Sequence, residues 1–140
     1  MDVDQENLAI AIAAQAALQT LHERFVAHIA SMASKVVNGG SFTTDGQSIA
    51  ATALGINFRV MRRPISIAGK FALSEYAFVT EHENKDLCLW HLYLDPHGAL
   101  HTDSALSNRL CEFNNTYLPS KVVSALASSL LASPIFALRP

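Results

Sequence analysis

Residues 5–37 contain neither glycine nor proline, and they are followed at once by Asn38-Gly39-Gly40. The run is rich in Ala, Leu and Gln, which are strong helix formers, so it favours one long helix. Leu18, Leu21, Phe25, Ile29, Met32 and Val36 recur in steps of three and four and form one apolar stripe. Asp4 or Asn7 suits the N-cap, and acids in the first turn match the helix dipole. Asn and Gly both accept the left-handed backbone of a C-cap, so the helix is expected to end at Asn38-Gly39-Gly40. At about 1.5 Å per residue the helix would be roughly 50 Å long. A compact chain of 140 residues has a diameter of only about 37 Å. Such a helix must break, overhang or pack on another chain. Its first half carries Ile10, Ala13, Ala14 and Ala17, which let a second helix approach closely, so a homodimer through this helix is expected.

Half of the residues are apolar, 16% are charged and the formal net charge is -2. That composition suits a packed core and does not point to a general nucleic-acid or membrane binder. The apolar N-terminal run opens with Asp2, Asp4 and Glu6, where a secretory leader needs positive charge. Polar residues interrupt it from Gln15 onward, so it is too short to span a bilayer. Cys88 and Cys111 are too few for a disulfide framework or a four-ligand zinc site. They read as reduced thiols, with a cytoplasmic location expected. Asn114-Asn115-Thr116 matches a glycosylation acceptor and carries no weight without a secretory signal.

From residue 41 to 103 the pattern changes to aromatic and β-branched segments separated by turn residues. The turns are expected at Asp45-Gly46, Arg63-Pro64, Asn84-Lys85 and Asp95-Pro96-His97-Gly98. Residues 48–54, SIAATAL, read as a strand, and a polar connection follows Asp103. Residues 119–133 read as a second helix, with Pro119 at its start and Pro134 beyond its end. The class is α+β in one domain: a long N-terminal helix, an antiparallel meander of four or five strands, and a short C-terminal helix.

Residues 87–101, LCLWHLYLDPHGALH, gather one cysteine, the single tryptophan and three histidines. A turn at Asp95–Gly98 is expected to set Leu94 against Ala99 and Leu92 against His101. His91 and His101 then point to opposite faces and His97 sits in the turn, so three ligands do not converge and no metal is expected. A loop at Asn84-Lys85 sets Phe78 against His91 and Tyr76 against Tyr93. The long helix is expected on the apolar Trp90 face. On the other face Tyr76, Phe78, His91 and Tyr93 form a candidate binding face of aromatic bodies with polar tips. Cover by the C-terminal helix is the competing reading.

His22 and His28 lie six apart on the helix and do not share a face. Residues 39–48 lack the lysine and spacing of a phosphate loop, and Ser41 and Ser48 have no evident base. Between Gly46 and Ser74 there is no acid, while Arg59, Arg62, Arg63 and Lys70 supply four positive charges. Arg59 and Arg63 fall on one strand face and Arg62 on the other. They suit an anion or an acidic partner, or they pair with the acids that follow at 75–86. No catalytic set and no cofactor motif assembles. The expected function is therefore protein–protein binding by a small accessory protein of the inhibitor, immunity, adaptor or chaperone type. A small-molecule binder or simple enzyme, with a pocket between sheet and helix near Tyr76, His91 and Tyr93, is the alternative. A nucleic-acid binder using the four cations is the third.

Overall fold

The computed structural model describes residues 3–32, 37–67 and 71–136. Among them the order is α1 (Val3–Ser31), β1 (Ser41–Thr44), β2 (Ile49–Ala53), β3 (Ile56–Ile67), β4 (Phe71–His82), β5 (Lys85–Leu94), β6 (Ala99–His101), β7 (Arg109–Glu112) and α2 (Leu118–Leu131). A single 3-10 turn, Pro134–Phe136, follows. The strands pair in chain order, each antiparallel to the next, in one sheet of seven. The α+β class and the order helix, meander, helix stand, with more strands than the four or five expected. The two extra are short: β1 falls in a stretch read as loop chemistry and β7 in the polar connection after Asp103.

Both helices pack on one face of the sheet. Leu21, Phe25 and Ile29 of α1 and Val122, Val123, Leu126 and Leu130 of α2 join Tyr76, Phe78, Leu92, Leu94 and Leu100 in a common core. The rings of Phe42 on β1 and Phe78 on β4 are 6.0 Å apart, although their strands lie three places apart in the order. The sheet therefore curls around its helices. On α1 the expected stripe is buried from Leu18 to Met32. Val36 lies outside the described residues.

Asn38 and Gly39, with φ of 52° and 74°, do not cap α1. They form a tight turn in which Val37 and Gly40 exchange both backbone hydrogen bonds at 2.9 Å. A Cβ at Gly40 would run into the Thr52 carbonyl oxygen and Val123, so close packing demands glycine there. Arg63-Pro64 is not a turn either. Strand β3 runs through it, because β2 stops pairing at Val60 and leaves the edge of Met61–Ile67 without a described strand partner. Proline is tolerated on such an edge and also blunts it against adding a further strand.

Two hairpins are shifted by one residue from the expected register. The β4–β5 loop is Glu83-Asn84, with φ of 52° and 63°, the geometry of a type I′ turn. The turn sets Val79 against Cys88, and a bulge beyond that pair then sets Phe78 against Trp90 and Tyr76 against Leu92. The β5–β6 loop holds Pro96, His97 and Gly98, so Tyr93 pairs with His101 and Leu94 with Leu100.

Candidate functional site

The register shift divides the expected binding face. Tyr76 and Phe78 turn to the helix side, where both are fully buried. Phe25 meets the Tyr76 ring edge-on at 5.1 Å, and Trp90 lies 5.2 Å from Phe78. That α1 docks on the Trp90 face is as expected. Tyr76 and Phe78 do not lie on the opposite face as expected, because the bulge adds one residue to β5 and so exchanges the sides on which the strands pair. His91 and Tyr93 remain together on the outer face, their rings stacked at 6.0 Å. The four residues therefore do not share one face: Tyr76 and Phe78 are core, and His91 and Tyr93 stand on the other side of the sheet.

A polar row crosses the outer face. Arg63 pairs with Glu75, Glu75 with Tyr93, Tyr93 with His101 and His101 with Arg109, each directly opposite the next. The Arg63 guanidinium donates to Glu75 at 2.6 Å. Burial opposes the charge on Glu75, but hydrogen bonds from Arg63 and Tyr93 outweigh it and hold its pKa below the usual value. The Tyr93 phenol is pushed up by burial and by its carboxylate partner. The bulge brings Cys88 onto this side, with Sγ 3.4 Å from His91 Nε2. Burial and the charge of Glu75 raise the Cys88 pKa, so the pair favours a neutral thiol over a thiolate nucleophile.

His101 also faces this side, but its partner is internal. Its Nε2 lies 2.8 Å from Asp95 Oδ2, while Asp95 Oδ1 accepts from the backbone of His97 and Ala99 at 2.8 and 3.0 Å. Asp95 thus ties the turn to the start of β6. His97 is exposed in that turn. Among the described residues no group of three histidines, cysteines or carboxylates could hold a metal ion.

Arg59 and Arg63 share the outer face and Arg62 takes the inner one, as the alternation expects. Arg59 reaches Asp86 at 2.6 Å, so it and Arg63 are both matched by acids. Arg62 donates to Ser74 Oγ at 3.2 Å and to Gln19 Oε1 of α1 at 3.3 Å. Lys70 lies outside the described residues. Beside Arg62 on the helix side, His22 Nδ1 and the Tyr76 hydroxyl are 2.8 Å apart. Burial, and then the nearby Arg62, lowers the pKa of His22. A cleft of about 610 Å³ opens elsewhere, between residues 55–59, residues 79–82 and Ile135. It contains Arg59 but none of Tyr76, Phe78, His91 or Tyr93.

The surface with the strongest chemical demand is on α1. From Leu18 onward the helix lies on the sheet, but before Leu18 it projects past it. Leu8, Ile10 and Ile12 are 60%, 67% and 61% exposed, and Ala9, Ala11, Ala13, Ala16 and Ala17 are exposed between and after them. Apart from the exposed Gln15 the segment is apolar around its circumference, a pattern that belongs to a buried helix rather than a solvated one. The Ala-rich sequence signals this, and the length of the helix foretells the overhang. Among the described residues no helix is long and apolar enough to cross a membrane. Comparison with family models, with curated proteins and with solved structures found no match for the chain.

Proposed function

We propose that this chain works by binding another protein chain, and that residues 8–17 of α1 are its docking surface. The observation that carries this reading is the exposure of Leu8, Ile10 and Ile12 on a helix with apolar residues all round. Each large apolar side chain that leaves water stabilises a complex by about 1.5–3 kcal/mol. A helix end with these residues therefore gains much from a partner and nothing from solvent. The outer-face row supports the reading indirectly: Arg63, Glu75, Tyr93 and Asp95 are engaged with one another or with the turn, and the Cys88 thiol is held neutral. The accessory types named from the sequence, inhibitor, immunity factor, adaptor or chaperone, remain the proposed range of roles.

A photo-crosslinking residue in place of Ile12, introduced in the producing cell, tests the surface. The expected result is one dominant adduct to a protein, a second copy or another chain, with none from the same residue in place of the exposed His97. Irradiation that leaves the position-12 protein uncrosslinked would sink the proposal. Changing Ile10 and Ile12 together to Asp should abolish the adduct from a probe at Ala13 and leave the melting temperature of the sheet within about 2 °C, because neither side chain touches the core.

A further inference from the structure

We infer that the chain docking on residues 8–17 is a different protein, and that an acidic side chain of it seats on Arg62. The inference rests on the proposed role of residues 8–17 and names the chemistry of their partner. Of the three described arginines of β3, Arg59 and Arg63 are already matched, by Asp86 and Glu75. Arg62 is not. Among the described residues no acid lies within salt-bridge distance of it. Its partners are Ser74, Gln19 and the Tyr76 hydroxyl, all neutral. Its link to a carboxylate is indirect: Gln19 accepts from Arg62 and donates to Glu23 at 3.3 Å. A guanidinium carries five N–H donors in a planar fork, and a carboxylate takes two of them side by side. The neutral partners leave that capacity unfilled.

The surroundings of Arg62 add to the demand for an anion. The side chain is half-buried, so it has lost part of its hydration with no opposite charge in return. Burial, and then Arg62 itself, lowers the pKa of the neighbouring His22, so the positive potential in this corner is felt by a second basic group. Access is open, because Arg62 lies on the stretch Met61–Ile67 that β2 leaves without a described strand partner. Position then ties Arg62 to the apolar segment. Leu8, Ile12, Ala16 and Gln19 follow at steps of four, four and three, so they form one ridge of α1, and all are exposed. Gln19 is the residue of that ridge that Arg62 touches. Ile12 stands seven residues before it, about 10 Å along the axis. A partner segment that covers Leu8 and Ile12 therefore reaches Arg62 within about two turns of helix or three residues of strand. Residues 7–21 of this chain carry no acid, so the same segment of a second copy brings no carboxylate with its apolar residues. The fitting partner is a different chain, with an Asp or Glu about 10 Å from the apolar side chains that cover Ile12.

The test starts from the full chain with the photo-crosslinking residue at position 12. The captured chain is identified, and the crosslinked peptide within it is mapped. That chain is then prepared as found and with the Asp and Glu of the mapped peptide changed to Asn and Gln. Calorimetric titration of both forms against wild type and Arg62→Gln completes a double-mutant cycle. On wild type the amide form should bind about tenfold more weakly. On Arg62→Gln the two forms should bind alike, and Arg62→Lys should restore part of the preference. Added salt should weaken the acidic form on wild type more than the amide form, a readout that needs no variant of this chain. Equal affinity of the two forms for wild type overturns the acidic partner. An undiminished preference on Arg62→Gln overturns Arg62 as its seat. A mapped peptide without Asp or Glu, or one from a second copy of this chain, overturns the inference as well. In each of these cases the position-12 adduct stands and the docking surface survives. A position-12 protein that never crosslinks ends both readings.

Discussion

At the scale of single residues, hydrogen-bonding partners decide what each polar side chain does. Asp95 accepts from two backbone amides and faces His101, and its pKa is set by two opposed effects. Burial works against its charge, but the hydrogen bonds from His101, Ala99 and His97 outweigh it, so the pKa lies below the ordinary value. Its stabilisation is therefore complete above the unfolded value of about 3.9 and is lost as pH falls below that. Asp95→Ala should cost about 2–3 kcal/mol in chemical denaturation, since it leaves buried donors without acceptors. His22 works in the same direction at higher pH. Its folded pKa is depressed by burial and by Arg62, so the neutral form stabilises the fold above about 6.5, and protonation destabilises it as the medium is acidified. His22→Gln can keep the Tyr76 hydrogen bond without titrating. Melting temperatures of the two proteins should diverge as pH falls below about 6.5, with the wild type falling faster; parallel curves would contradict the assignment. Tyr76 is fully buried in the core, and Tyr76→Ala should cost about 3–5 kcal/mol.

At the scale of elements, the difference between sequence and structure reduces to backbone details that side-chain patterns do not encode. The long helix, the β2 strand and the C-terminal helix are legible because composition, periodicity and proline placement agree. The strands from 71 to 94 are legible as strands, but their register is not. Asn favours left-handed backbone at either central position of a type I′ turn, and here Asn84 takes the second, with Glu83 in the first. The bulge between Val79 and Phe78, not the turn, is what pairs Tyr76 and Phe78 with the inward side of β5 and leaves His91 and Tyr93 outside. The bulge beside Cys88 has no glycine to announce it. A left-handed Glu is costly, so Glu83→Asn with Asn84→Gly should fit this turn better and raise stability by about 1 kcal/mol. The exposed ion pair of Glu83 with His82 offsets little of that gain. Unchanged or lower stability in thermal melts would argue for a different loop.

At the scale of the whole molecule, the sheet and α2 complete a core that needs only the second half of α1. Helix length against domain diameter makes the overhang readable in advance, and the Ala-rich composition makes it readable as a contact. The outer-face row was not readable, because Arg63, Glu75, Tyr93 and His101 are distant in sequence and meet only in the observed register. A projecting helix of about ten residues is marginal in water by itself. Its amides should exchange with solvent at close to coil rates unless something covers it. Residue-resolved amide hydrogen exchange over α1, measured on the chain alone and with the chain that the position-12 probe captures, is therefore the most direct test of the account. Protection that appears across residues 8–17 with the captured chain, while residues 18–31 stay equally protected throughout, is the result expected of a docking helix. Equally fast exchange of residues 8–17 with and without the captured chain would contradict it.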